Sequence, residues 1–430
     1  MSKKAPAKHR RAQPFWSRVA SWPGRYIRRG RTVLRRGTRC LVLVCLVMLP
    51  VVMWSYTSAM LAPGTAPLSA KTVEWISNHG GRGIITALET WWLNHHRPPV
   101  GGTPSGGIPE IAQDSPSPSG SPTKAPKMVL DHLPPPTDVE PIVPDPLPHE
   151  GEWQPLGQKL DGVPTMYVSY FRPDTTHTSL VSAVVWMDQK LLTTRLVPGV
   201  QDPGGTGWEW IGKVPRSSAD SLVAAFNSGF YIKDSRGGYL SEGKTIKPLQ
   251  DGAASLVIYN DGVAAVGEWG RDASMSSDVA SVRQNLTLIV DRGKPVNDLS
   301  ADTGDLWGAT YGNTVLAWRS AVGVTKDGAL LFGAGDGLSA VSLADIMVRA
   351  GAVRAMQMDI NHVWVNFESF RPEPTNPYGA VAKNILPDMW VHPQRFLVTD
   401  ERDFFAMLLR KPVDLQHVPA DMVGTPPTAP

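Results

Sequence analysis

Cysteine is nearly absent. The 430 residues hold two, Cys40 and Cys45, both inside one uncharged stretch near the N-terminus. Everything downstream is therefore without disulfides, cysteine nucleophiles and thiolate-bound zinc, and its stability must come from a packed core. Acidic residues are missing before Glu74, although residues 1–39 carry 13 Lys and Arg. Missing too are a P-loop, a GxSxG elbow, an HExxH pair and a CxxC pair, which removes the commonest signatures of nucleotide, serine-hydrolase and zinc chemistry. No internal repeat is visible.

What is present begins with charge asymmetry. The basic arm is residues 1–38; beyond Arg39 the chain has 29 basic and 39 acidic residues, so the net charge of +3 describes neither part. Cys40 to Ala62 lacks any charged residue for 23 positions, enough for a helix to span the ~30 Å hydrocarbon core. The reading is one transmembrane helix over residues 39–62. With Arg35, Arg36 and Arg39 at its inner end, residues 1–38 are expected in the cytoplasm and the rest outside, as a single-pass protein of the cell membrane. A cleaved signal peptide is the rival, against an apolar run longer than the usual ~7–15 residues. The arm serves topology and membrane lipid; nucleic acid is not an expected partner.

Residues 63–97 form a juxtamembrane helical segment, with Ile84, Leu88, Trp91 and Trp92 at helical spacing, suited to the headgroup layer or to packing on the main domain. Residues 98–150 are rich in Pro, Ser and Gly and read as a semi-extended linker. Residues 151–410 carry the pattern of a folded domain, with residues 411–430 as a tail. The hydrophobic share of the chain, 42%, suits such a core.

Within that domain, LVSAVVWM (180–187) is a buried strand, and SLVAAFNSGFY (221–231) is a strand running into a glycine loop. Asn260-Asp261-Gly262, Asp291-Arg292-Gly293 and Lys326-Asp327-Gly328 mark hairpins. Ser342 with Asp345 predicts a capped helix ending at Gly351, and ERDFFAMLL (401–409) a second helix. The fold class is α+β, a largely antiparallel sheet with a few packed helices, preceded by the transmembrane helix.

The stretch AMQMDINHVWVNF (355–367) sets Gln357, Asp359 and Asn361 on alternate positions, with Met356, Met358 and Ile360 on the other face. A carboxylate on a buried strand is costly unless it is paired, bonded or used. Asp359 is thus either a site residue or a strand-end cap. Calcium bound through Gln357, Asp359 and Asn361 is the only cofactor considered, and none is expected as the leading reading. His362 serves acid–base work or ordinary packing. The loop 231–252 offers Lys233, Asp234, Arg236 and Glu242 as a binding lid or a solvated hairpin. GAGDGLSA (333–340) is a loop before the capped helix.

VAAFNSGFY, WRSAVGVTKDGALLF and VSLADIMVRAGAVRAMQMDIN resemble, in this order, the three blocks of the phosphodiester glycosidase family, the domain of the enzyme that uncovers mannose 6-phosphate tags. The resemblance covers about residues 180 to 400. It departs where Asp359 is followed by Ile360, Asn361 and His362 in place of the family's glycines, which would let substrate approach the backbone. It implies a hydrolase that cuts a sugar-1-phosphodiester in an envelope glycan or sugar-phosphate polymer. Because a phosphate ester leaves without a strong acid, one carboxylate and one cation suffice where ordinary glycosidases need two carboxylates. The implied roles are Asp359 at the sugar carbon or on water, Arg319 on the phosphodiester, and Asn227, Gly229, Arg236, Glu242, Gln357 and Asn361 around the substrate. Arg319 paired with Asp359 as a purely structural salt bridge is the plainer alternative. A non-catalytic glycan-binding module on the same fold is the competing class.

Overall fold

A computed structural model describes residues 46–111, 128–297, 299 and 316–424. The chain divides into residues 1–62 and residues 63–430. In the first unit residues 46–61 are helical. Among the described residues no helix is long and apolar enough to cross a membrane. Of the expected span 39–62, residues 39–45 lie outside the described residues, as does the basic arm.

The second unit is built mainly from antiparallel sheets. The largest has eight strands, with Ala352–Ile360, Ala317–Thr325, Leu330–Leu338 and Ser182–Met187 adjacent at its centre. A five-stranded sheet sets Phe367–Pro372, Leu222–Asn227 and Phe404–Leu409 side by side. A second five-stranded sheet centres on Ala254–Tyr259 and Val279–Gln284.

Side-chain alternation explains the layering. Ser182–Met187 is buried at every position because both faces of its sheet are covered. Val185 and Met187 enter the layer facing the five-stranded sheet, where Phe226, Phe332, Phe367 and Phe405 meet with ring centroids 5.1–5.8 Å apart. Val184 and Trp186 enter the opposite layer, beneath Leu343, Ile346 and Met347 of the helix Ala340–Arg349. Helix, large sheet and smaller sheet thus stack around two apolar layers. All three hairpins anticipated at Gly262, Gly293 and Gly328 form.

Three elements differ from expectation. The helix is capped by Ser339, not Ser342: Ser342 N donates to Ser339 Oγ at 3.0 Å and Ser339 N to Ser342 Oγ at 2.9 Å. Ala340 is buried, so the helix begins a turn earlier, and Asp345 pairs with Arg349 instead. The expected helix at 401–409 is the strand Phe404–Leu409, held between two neighbours. Phe405 and Met407 fill the inter-sheet layer, while Phe404 and Ala406 fill the opposite one. That period of two is satisfied only by a central strand. GAGDGLSA also continues a strand, Leu330–Leu338, rather than forming a loop.

Residues 128–150 pack onto the domain. Met128–Leu130 pairs with His417–Pro419, Leu133 and Val139 are buried, and Glu150 forms a buried ion pair with Arg172 at 2.8 Å. Upstream, the helices Leu68–Ile76 and Arg82–His95 flank a kink at Gly80, and neither has a fully buried residue.

Candidate active site

The polar ends of several strands meet at one corner, and a β-bulge sets the geometry. Across the central pair, Ala321 lies opposite Gln357 and Arg319 opposite Ile360, so Ser320 faces the two residues Met358 and Asp359. A bulge of this kind re-aims a side chain and leaves backbone groups to be satisfied locally. Ser320 Oγ does so, donating to the carbonyl of Asp359 at 3.1 Å. Asn227, at the end of its strand, donates to Ser320 Oγ at 3.0 Å and accepts from Asn366 N at 3.0 Å. Strand ends from both sheets are thereby tied together.

Asp359 itself is buried. Its Oδ1 accepts from Ile360 N at 2.8 Å and its Oδ2 from Arg402 Nη2 at 2.8 Å. Burial pushes this carboxyl up to about 6, with Arg402 as the main opposing influence. The same Nη2 donates to the carbonyl of Gly229 at 2.7 Å, and the guanidinium lies 3.7 Å from the Tyr231 ring centroid and 4.8 Å from that of Trp364. The cation thus sits against two aromatic rings set nearly perpendicular to each other, with Nη2 bonded to Asp359. Arg402 Nε, Ser228 Oγ and both amide atoms of Asn366 are buried without a hydrogen-bond partner among the described residues. Such unspent polar atoms, three donors and the Asn366 amide oxygen as an acceptor, are expensive unless a ligand satisfies them.

Arg319 lies on the strand beside that of Asp359, opposite Ile360. It is fully buried, donating to Leu338 O at 2.8 Å and to Gln357 Oε1 at 3.0 Å, and burial pushes its guanidinium down to about 10. Among the described residues the ion pair to Asp359 is made by Arg402, not by Arg319. Gln357 Oε1 is thus engaged by Arg319. Asn361 adopts φ 89° and accepts from Val363 N at 3.1 Å, which is turn formation. Gly229 lies at the site and its carbonyl is the second acceptor for Arg402. Arg236 is exposed in its loop. Glu242 sits at a hairpin tip with φ 49°, pairs with Arg195 at 3.0 Å, and lines a 1150 Å³ groove that shares no residue with the Asp359 corner. His362 stands edge-on to Trp390 at 5.4 Å. Among the described residues no three His, Cys, Asp or Glu side chains are grouped to hold a metal ion.

Arg402, Tyr231, Trp364, Ser320 and Asn366 are the members that residue patterns missed. The signal for Arg402 was the run Asp400-Glu401-Arg402-Asp403, four charges in succession that are all buried. Its last three members open ERDFFAMLL, which by residue pattern alone reads as a helix.

Residues 65–82 pack against the loops carrying this corner. Thr65 N and Ala66 N donate to the Glu401 carboxylate at 2.7 and 2.9 Å, and Arg82 pairs with Asp234 at 2.7 Å. The corner is closed: Asp359 is 5% and Arg402 4% exposed.

Comparison with known proteins agrees with the sequence-based resemblance. Residues 220–359 match the family model for phosphodiester glycosidase, a hydrolase family, and the matched segment runs from the Asn227 strand to Asp359. Among solved structures, the catalytic domain of zebrafish N-acetylglucosamine-1-phosphodiester alpha-N-acetylglucosaminidase is 15% identical with a TM-score of 0.39, over 60% of this chain and 88% of that one. A hypothetical protein from Synechocystis is 12% identical with a TM-score of 0.31, over 60% of this chain and 64% of that one. No curated protein matches.

Proposed function

We propose, taking the phosphodiester glycosidase match of residues 220–359 as premise, that this hydrolase cleaves a sugar-1-phosphodiester of an envelope glycan or sugar-phosphate polymer. The observation that carries the reading is the buried Asp359–Arg402 pair, surrounded by unspent donors at the bulge that ends the matched segment. Arg402, rather than Arg319, neutralises the phosphodiester, with Nε as its free donor; Ser228 and Asn366 supply further hydrogen bonds to sugar or phosphate. Asp359 takes a proton from the attacking water, or adds to the anomeric carbon before water replaces it. In either case the bond between that carbon and the phosphate oxygen breaks, and the electron pair leaves with a phosphomonoester already weakly basic. Asp359 at about 6 is poised to ionise at neutral pH.

The helical residues 68–82 must move for substrate to reach this corner, while Thr65 and Ala66 stay bonded to Glu401. The basic arm and the uncharged stretch Cys40 to Ala62 support anchoring in the cell membrane, with the hydrolase domain on the far side. Protease protection in sealed vesicles tests that placement: cleavage of the domain from the cytoplasmic side would overturn it.

The activity test is hydrolysis of a panel of sugar-1-phosphodiesters by the purified full chain, beside folded Asp359→Asn and Arg402→Lys variants. Turnover lost in both variants supports the assignment. Absence of turnover across the panel, or turnover retained in Asp359→Asn, overturns it.

A further inference from the structure

A 520 Å³ cleft adjoins the Asp359 corner and has no part in the chemistry above. Its lining includes Thr65, Pro67, Tyr378, Trp390, His392 and Arg395, and Trp364 forms the shared wall. The Trp364 ring lies 4.8 Å from the Arg402 guanidinium and 5.6 Å from that of Arg395, so the cleft begins one aromatic ring away from the ion pair. Arg395 is bonded to Asp400, which leaves the lining without an unpaired cation for an anionic ligand. What the cleft offers instead is aromatic surface. Trp390 is 53% exposed, and His362 abuts it edge-on with an interplanar angle of 72°. A half-exposed indole at the mouth of a cleft is a flat apolar face with a negative quadrupole, suited to the C–H face of a pyranose ring. The volume lies within the ~300–1,000 Å³ range of small-molecule sites.

We infer that this cleft is a subsite for a neutral sugar ring, stacked on Trp390, in the glycan chain that carries the scissile phosphodiester. The position of the subsite within a substrate rests on the hydrolase reading; its capacity to bind sugar does not. Thr65 to Pro67 supply one wall, so the segment before the main domain belongs to the site. The substrate class is then a polymer rather than a lone sugar phosphate.

The test uses the full chain in a polyoxyethylene detergent, titrated calorimetrically with chitotetraose and with maltotetraose, neither of which contains phosphate. Wild type is expected to bind at least one of them, Trp390→Ala about tenfold more weakly, and Trp390→Phe nearly as well as wild type. In parallel, sugar-1-phosphodiesters of methanol and of a disaccharide are compared. Trp390→Ala should raise KM about tenfold for the disaccharide ester alone, leaving kcat and the methyl ester unchanged. Tetrasaccharide binding that depends on Trp390, without any phosphodiester turnover, would sink the hydrolase and keep the subsite. Absence of tetrasaccharide binding, or equal binding by folded Trp390→Ala, would overturn the subsite whatever the turnover.

Discussion

The carboxylate of Asp359 and the guanidinium of Arg402 meet at 2.8 Å across 43 residues of chain, one from a bulged strand end and the other from a buried run of charges. Either group alone would be an uncompensated buried charge, so the pair stands or falls together. Its neighbours Tyr231, Trp364 and the Gly229 carbonyl hold the cation, and among the described residues no second carboxylate bonds it.

The first consequence concerns pH. Burial raises Asp359 from 3.8 to about 6, so kcat/KM of a hydrolase that needs its ionised form should fall about tenfold per pH unit below about 6. Stability runs the other way. Between 3.8 and about 6 the unfolded chain ionises this group and the folded one does not, so its contribution is complete below 3.8 and lost as pH rises through that window. A pH–rate profile and urea midpoints of wild type and Asp359→Asn check both; an acid limb unmoved in residual Asp359→Asn activity would refute the assignment.

The two arginines should separate kinetically. Arg402→Lys keeps charge but loses the fork and the aromatic clamp, and should cost about 100-fold or more in kcat/KM. Arg319→Lys loses bonds to Leu338 O and Gln357, and should cost about 1.5–3 kcal/mol per lost bond with less than about tenfold in kcat/KM of the folded fraction. Urea unfolding beside steady-state kinetics decides; a larger kinetic loss in folded Arg319→Lys would return the phosphate role to Arg319.

Gly229 is constrained by space rather than by backbone angle. A Cβ there would lie 2.8 Å from Asn285 Cγ and 2.9 Å from its Cβ. Asn285 Nδ2 donates to the carbonyls of Gln357 and Met358 at 2.9 and 3.1 Å, so the clash is passed to the strand bearing Asp359. Gly229→Ala should destabilise by about 1–3 kcal/mol and reduce turnover. In a double-mutant cycle with Asn285→Ala, the two losses should be clearly less than additive; strict additivity would exclude this route.

Weakening the contact of residues 68–82 should ease access. Arg82→Glu replaces the half-exposed ion pair to Asp234 with repulsion. Since such pairs contribute up to about 1 kcal/mol, kcat/KM should rise by at most about fivefold, and limited proteolysis within the segment should quicken. Unchanged proteolysis with lowered activity would argue against a covering role.

Much of the fold was legible because hairpins and alternating strands are local. Asn260-Asp261-Gly262 and Lys326-Asp327-Gly328 turned as their chemistry requires, and Ser182–Met187 showed its burial on both faces by its composition. Asp359 and Asn227 stand out in the sequence itself, since polar groups closing apolar strands are unusual wherever they occur. Residues 401–409 were not: a short apolar run with flanking charges fits a helix by itself, and only its two strand neighbours decide otherwise.

The sequence by itself thus determined the carboxylate, the antiparallel architecture and the family resemblance, all of which depend on patterns within a few dozen residues. Which cation serves Asp359 was decided by tertiary structure alone. Arg319, directly on the neighbouring strand, is turned to Leu338 O and Gln357 behind the bulge, while Arg402 arrives from a distant segment. No spacing encodes that choice, because it depends on how two sheets pack and where the one-residue bulge at Ser320 re-aims Asp359.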